Sequence, residues 1–259
     1  DMLMSGVQLP AVVGVDAPMQ NAADMRTKGW ELSVNWRDKI GDWNYNIGFN
    51  LYDYKSKILT YTSNEDKVIG NWGGWYYYEG MELGAIWGYV SDGFYTIDDF
   101  ESPETWVLKD GVTSIQGVNV RPGDEKFVNL NDDLNENQIN SGLGTVNSPG
   151  DRTVIGNYTP RYNFGINLGV GYKGFQLTAL LQGTGKRDYW LGGNSLFPFG
   201  GGATAFYPVF YNQTDYWEPM GDQGGLYTEA DPEYWVAKNP DAKLFRLYGM
   251  LNNSGSNTR

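Results

Sequence analysis

Between Tyr162 and Leu181 the chain keeps a strict two-residue beat. Tyr162, Phe164, Ile166, Leu168, Val170 and Tyr172 are apolar or aromatic, and Asn163, Gly165, Asn167, Gly169 and Gly171 stand between them. After Lys173-Gly174 the beat resumes at Phe175, Leu177, Ala179 and Leu181. Alternation around two turn residues predicts a β-hairpin. Its length is unusual: Tyr162 to Tyr172 covers about 33 Å at roughly 3.3 Å per residue. Tilted by about 40°, such a strand projects to about 25 Å, the height of the apolar band of a membrane β-barrel. Tyr162 and Tyr172 sit at the two ends, where aromatic girdles lie. The intervening Asn and Gly suit the wall of a water-filled bore better than the mixed charges of a soluble surface.

The design recurs upstream. Trp30, Leu32, Val34 and Trp36 alternate with Glu31, Ser33 and Asn35. After the polar stretch Arg37 to Asp42 the beat returns at Trp43, Tyr45, Ile47, Phe49 and Leu51, with Asn44, Asn46, Gly48 and Asn50 between. Trp30, Trp36 and Trp43 extend the expected girdle. A soluble sandwich of ordinary antiparallel strands is the competing reading, but ordinary strands run to about five or six residues. The expected fold is therefore all-β, part of a large antiparallel transmembrane β-barrel with long extracellular loops. The hairpins are expected at 30–52 and 161–183. Loops are expected at 1–29, 53–160 and 184–259, with further strand segments at Lys57–Thr62 and Ile86–Tyr95. Barrels of this kind have short periplasmic turns and long outer loops, which assigns Arg37–Asp42 and Lys173–Gly174 to the periplasmic side.

Composition narrows the function classes. The chain of 259 residues has no cysteine and no histidine, which removes disulfides, thiolate metal sites, the usual zinc sites and histidine acid–base chemistry. A formal net charge of −12 argues against a nucleic-acid surface, which needs clustered Lys and Arg. Mean hydropathy is −0.48, low for helical membrane proteins but ordinary for a barrel, where only alternate strand residues meet lipid. Asp1-Met2-Leu3-Met4 lacks the basic start and apolar core of a secretory signal. An open sheet edge in lipid leaves backbone groups unsatisfied, and the visible strands are too few to close a barrel. The expectation is an interior piece of a longer protein.

Three ordered segments carry a family resemblance. The first joins Leu9-Pro10 and Asn21-Ala22-Ala23 to Lys28-Gly29-Trp30-Glu31-Leu32. The second is Glu79-Gly80-Met81-Glu82-Leu83-Gly84, running into Trp87-Gly88-Tyr89 and Asp92-Gly93-Phe94-Tyr95. The third is Pro122-Gly123-Asp124, then Asp151-Arg152-Thr153-Val154-Ile155-Gly156-Asn157 and Pro160, closing on Tyr172-Lys173-Gly174-Phe175 and Gln182-Gly183. In this order they resemble the C-terminal barrel region of SusC/RagA-type TonB-dependent transporters of the Bacteroidota outer membrane. Asp215-Tyr216-Trp217 and Asn239-Pro240-Asp241-Ala242-Lys243 continue the match more loosely. The resemblance implies a barrel of about 22 strands filled by a plug domain, with the plug and the TonB-contacting segment before Asp1 and the final strands after Arg259. It also implies active import of large nutrients, glycans or peptides, across the outer membrane of a Gram-negative bacterium. A SusD-like surface lipoprotein would act as a lid, and TonB would be reached through the N-terminal region.

Candidate chemistry is sparse, and the chain is expected not to be an enzyme. Asn129-Leu130-Asn131-Asp132-Asp133 occupies the place of a calcium-type loop in the resembled family, and oxygen ligands at alternate positions of a tight loop suit Ca²⁺. Asp124, Asn131 and Asp133 are its candidate ligands, although Leu134 replaces the turn-making glycine and Asn140 replaces the closing glutamate. A solvated polar loop is the alternative, with no cofactor. Trp72, Trp75, Tyr76, Tyr77 and Tyr78 form an aromatic run fit to stack on a nutrient or anchor the lid; loop packing or an interfacial girdle is the alternative. Gly200-Gly201-Gly202, next to Phe197-Pro198-Phe199, lacks the Lys-Ser/Thr ending of a phosphate loop. Asp98, Asp99, Glu101 and Glu104 are too crowded and too wet for a glycosidase pair. The rival functions are a secreted carbohydrate-binding β-sandwich and, more remotely, a β-rich glycoside hydrolase.

Overall fold

The structure is a computed structural model that describes residues 2–4, 20–70, 76–131, 137–190, 211 and 214–246. Its strands are β1 (Met2–Met4), β2 (Gln20–Ile40), β3 (Trp43–Tyr61), β4 (Ala85–Gly88), β5 (Ser91–Phe94), β6 (Ser114–Ile115), β7 (Glu125–Phe127), β8 (Gln138–Ile139), β9 (Thr153–Asn157), β10 (Arg161–Tyr172) and β11 (Phe175–Lys186). Among the described residues there are also two short 3₁₀ turns, Ile97–Asp99 and Pro232–Trp235. The chain divides into two compact units.

The first unit takes residues 1–68, 76–86 and 156–189 and is built on one antiparallel sheet in the order β1-β2-β3-β10-β11. β2 and β3 pair from Ala23↔Tyr61 to Ile40↔Trp43, and β10 pairs with β11 from Arg161↔Lys186 to Tyr172↔Phe175. Both predicted hairpins are present. The strands run further than alternation predicts: Arg37–Ile40 is strand, only Gly41-Asp42 turns, and β2 and β3 extend to Gln20 and Tyr61. The reason is that ladder hydrogen bonds join backbones. They continue past the point where the outward side chains change from apolar to charged. Lys173 (φ 44°) and Gly174 (φ 91°) are both left-handed, as a two-residue type I′ hairpin turn requires.

The two hairpins are joined edge to edge. β3 pairs with β10 from Trp43↔Tyr172 to Tyr52↔Asn163, so residues 62–160 are an insertion between neighbouring strands. Above that level the free edge of β3 is taken by the chain at 80–83. Gly80 N–H donates to the Ile58 carbonyl (2.9 Å), Ile58 N–H to Met81 (2.9 Å) and Leu83 N–H to Ser56 (2.8 Å). An edge that would otherwise expose unpaired backbone groups is thereby covered.

The second unit takes residues 69–75, 87–155 and 190–259. Short strand pairs, β5 with β7 and β6 with β8, frame a core of Tyr95, Phe100 and Val120, packed by Trp106, Leu108 and Ile115. Tyr95 is fully buried and its hydroxyl donates to the Thr113 carbonyl. Burial holds the Tyr95 phenol well above its ordinary pKa, helped by the charges of Asp99 and Asp124. The neutral form is therefore the folded one: its contribution is complete below the ordinary tyrosine pKa and is lost as pH rises from there toward the raised value. Tyr95→Phe leaves the Thr113 carbonyl without its donor and is expected to cost about 1–3 kcal/mol. Thermal denaturation checks this, with the difference from the parent protein shrinking in strong alkali.

Candidate functional site

The sheet of the first unit has two chemically distinct faces, and the register aligns them row by row across four strands. On one face Trp36, Ile47, Leu168 and Ala179 lie side by side, as do Val34, Phe49, Ile166 and Leu181, and then Leu32, Leu51, Phe164 and Gly183. These rows do not pack against one another across an interior. Val34 is 51% exposed, Trp36 61%, Ile47 48% and Leu177 72%. Asp38, beside Tyr45, is the charged exception on this face near the turns, and an apolar expanse this open is the kind that marks a contact surface.

The other face carries Ser33, Asn50, Gly165 and Gln182 in one row, and Arg37, Asn46, Gly169 and Thr178 in another. Its asparagines lie over glycines: Asn50 covers Gly165, Asn46 covers Gly169, and Asn35 Oδ1 is 2.9 Å from the point a Gly48 Cβ would occupy. The small residues make room for amide side chains lying flat on the sheet. Leu180, next to Asn167, and Tyr52, between Glu31 and Asn163, are exceptions on this face.

The girdle candidates fall at three levels. Trp43 and Tyr172 stack at 4.4 Å between ring centres beside the two tight turns, and Lys173 Nζ lies 5.3 Å over the Tyr172 ring. At the opposite end stand Trp30 and Tyr162, both about half exposed, with the Arg161 guanidinium 5.4 Å over the Tyr162 ring. Trp36 pairs with Ile47, two apolar rows above Trp43, so the register places it inside the apolar band.

The aromatic run separates by depth. Tyr76 is 54% exposed. Tyr77 is half-buried, edge-on to Tyr61 at 6.1 Å, and its carbonyl accepts from Asn64 Nδ2 at 2.9 Å. Tyr78 is buried. Trp72 and Trp75 lie outside the described residues, as do Asp133 and the 197–202 stretch. Of the other candidate calcium ligands, Asp124 is buried and committed elsewhere. Its Oδ1 accepts from Arg246 Nε (2.8 Å), and its Oδ2 accepts from Arg246 Nη2 (3.1 Å) and Arg121 N–H (2.8 Å). Asn131 N–H donates to Asn129 Oδ1 and to Asp151 Oδ1, each at 3.2 Å. Among the described residues no group of three or more acidic, His or Cys side chains is placed to hold a metal ion. Asp99 caps its own turn by accepting from Thr96 N–H at 2.7 Å and meets Lys126 at 3.7 Å, while Asp98, Glu101 and Glu104 are exposed.

No family model matches the chain. A curated relative, TonB-dependent receptor P3 of Formosa agariphila, is 29% identical over 182 residues, covering 67% of this chain. Over that stretch the chain is similar to a TonB-dependent receptor. It spans 16% of the length of that relative. Two solved structures are also similar, each 18% identical. The RagAB peptide transporter covers 69% of this chain and 16% of its own at a TM-score of 0.43, and the RagAB peptide importer in its open-open state covers 79% and 19% at a TM-score of 0.46.

Three charged groups of this chain organise its loops and are not apparent from alternation. Asp53 is buried midway along β3, just past the apolar rows, and takes a two-pronged contact from Arg161 at the start of β10, clamping the ends of a 108-residue separation. The signal was an acidic residue one beat beyond Leu51 and a basic residue just before Tyr162, at the same end of adjacent strands. Asp151 is fully buried and gathers the N–H groups of Leu130 (2.9 Å), Asn131 (3.2 Å) and Asn140 (2.8 Å). Asp124 with Arg246 is the third. The last two unite residues 11 to 122 apart and have no local sequence signature.

Proposed function

We propose that this chain is barrel wall and loop of an outer-membrane, TonB-dependent importer of large nutrients, glycans or peptides, working with a SusD-like lid lipoprotein. The observation that carries the reading is the open apolar face. It runs from the Trp43–Tyr172 row to Trp30 and Tyr162 on strands long enough to cross a bilayer, and is backed by an Asn/Gly face. Relationship to a TonB-dependent receptor supports it independently. In such a machine the apolar rows meet acyl chains, and the Asn/Gly face lines the bore, where small side chains leave room and amides bond water. Of the aromatic run, Tyr76 is the exposed member among the described residues and is the proposed contact for nutrient or lid. Trp72 and Trp75 extend that candidate set; of the calcium candidates Asn131 and Asp133 remain, because Arg246 already takes both Asp124 oxygens. The sandwich reading would need a second sheet against the apolar rows, and among the described residues none covers Leu177 or Phe175.

The test uses the full-length protein in its host. Membrane fractionation is expected to place it in the detergent-extracted outer membrane, and deletion of TonB is expected to abolish uptake of fluorescent oligosaccharide or oligopeptide cargo. Recovery in the soluble fraction without detergent would overturn the proposal.

A further inference from the structure

Above Trp30 the outward face of β2 and β3 changes abruptly from apolar to cationic. The cross-strand pairs are Trp30↔Asp53, then Lys28↔Lys55, then Arg26↔Lys57. Directly opposed residues have Cβ atoms about 5 Å apart and like charges so placed repel, while successive pairs on one face are about 7 Å apart. Four cations therefore crowd a small rectangle, and Arg26, Lys28, Lys55 and Lys57 are all exposed.

Three acids stand near them: Asp24, two residues before Arg26 on β2, Asp53, and Glu82, whose backbone is bridged to that of Lys57 along the edge of β3. Asp53 is taken by Arg161. Glu82 is shared by Lys55 at 3.2 Å and Arg161 at 4.0 Å. Among the described residues Arg26, Lys28 and Lys57 form no ion pair. Arg26, Lys28, Lys57, Gly80 and Glu82 help line a concavity of about 600 Å³. Uncompensated like charge packed into a hollow is a standing cost unless an anion occupies it.

We propose that this patch binds the phosphate-bearing headgroups of the lipid leaflet on the long-loop side. The inference rests on the barrel-wall reading above and deepens it. Position selects the occupant. The cations lie on the lipid-facing side of the sheet, directly beyond the aromatic level of Trp30 and Tyr162, at the end opposite the Gly41-Asp42 and Lys173-Gly174 turns. A headgroup sits at that height when its acyl chains lie along Leu32, Val34 and Leu51. Arginine and lysine are the side chains that pair with phosphate oxygens, and their stems can lie along the strand while the charge reaches the headgroup.

The experiment compares the full-length protein with the triple variant Arg26→Gln/Lys28→Gln/Lys57→Gln and with a charge-matched control at the turn end, Arg37→Gln/Lys39→Gln/Lys173→Gln. Each is purified in non-ionic detergent, and folding is checked by heat-dependent gel migration. Binding is read in micelles doped with a phosphorylated glucosamine lipid, with its dephosphorylated form, or with inorganic phosphate added free. The parent and the turn-end control are expected to hold the phosphorylated lipid. The upper triple variant is expected to bind it roughly a hundredfold more weakly, about fivefold per charge removed. The dephosphorylated lipid is expected not to distinguish the proteins, and free phosphate is expected not to compete at equal concentration. Equal binding by parent and upper variant, or effective competition by free phosphate, overturns the headgroup site. A parent protein that stays soluble without detergent overturns the barrel reading instead, so the two failures are distinguishable.

Discussion

Leu168→Lys is expected to destabilise the membrane-inserted protein by about 2–4 kcal/mol, the range for a lysine at mid-bilayer on the lipid face of a barrel. Leu168 lies between Ile47 and Ala179, in the third of the apolar rows counted from the turn row Ile40–Trp43–Tyr172–Phe175, and it is 38% exposed. A lysine there has no carboxylate in its row and water at neither end within easy reach. Asn167→Lys, one residue away on the exposed Asn/Gly face, is expected to stay within about 0.5 kcal/mol, as surface changes do. Urea-dependent folding of the full-length protein into lipid vesicles measures both. Equal costs for the two variants would mean that the faces do not meet different solvents.

Arg246→Met is expected to cost the second unit about 3–5 kcal/mol, the usual penalty for stranding one member of a buried ion pair. Asp124 has no measurable exposure and its side chain is held in two places by Arg246. Once the guanidinium is gone, the Arg121 N–H is its remaining donor among the contacts described. The same contact fixes the chain around Trp217: Arg246 N–H donates to the Gly123 carbonyl at 2.9 Å, and Trp217 lies where a Gly123 Cβ would be. Limited proteolysis is expected to open residues 214–246 in the variant. The double variant Asp124→Asn/Arg246→Met is expected to recover part of the loss, because no buried charge is left unpaired. Failure of the second change to rescue would locate the effect in packing against Trp235, over which Arg246 lies at 6.0 Å.

Alternation made the wall legible. From Trp30 to Leu51 and from Tyr162 to Leu181 each residue's face follows from its parity, because a strand has a period of two and the β2–β3 register shift lies outside these limits, at Asp24/Met25. Tight turns were equally plain at Lys173-Gly174. The limits of the strands were not, since pairing carries on through Arg26, Lys28, Lys55 and Lys57 after the apolar signal has ended. Nor did the spacing of Trp36 reveal its level, which depends on the register with Ile47.

What a one-dimensional pattern could specify was the chemistry of each face and the span of the apolar band. The partners of buried charges came only with the folded chain: Asp53 with Arg161, Asp124 with Arg246, and Asp151 with three backbone N–H groups. The physical reason is range. Periodicity is written in neighbouring residues, whereas a buried carboxylate is stabilised by whatever donor the loops bring to it from far along the chain, and no local rule says which donor that is.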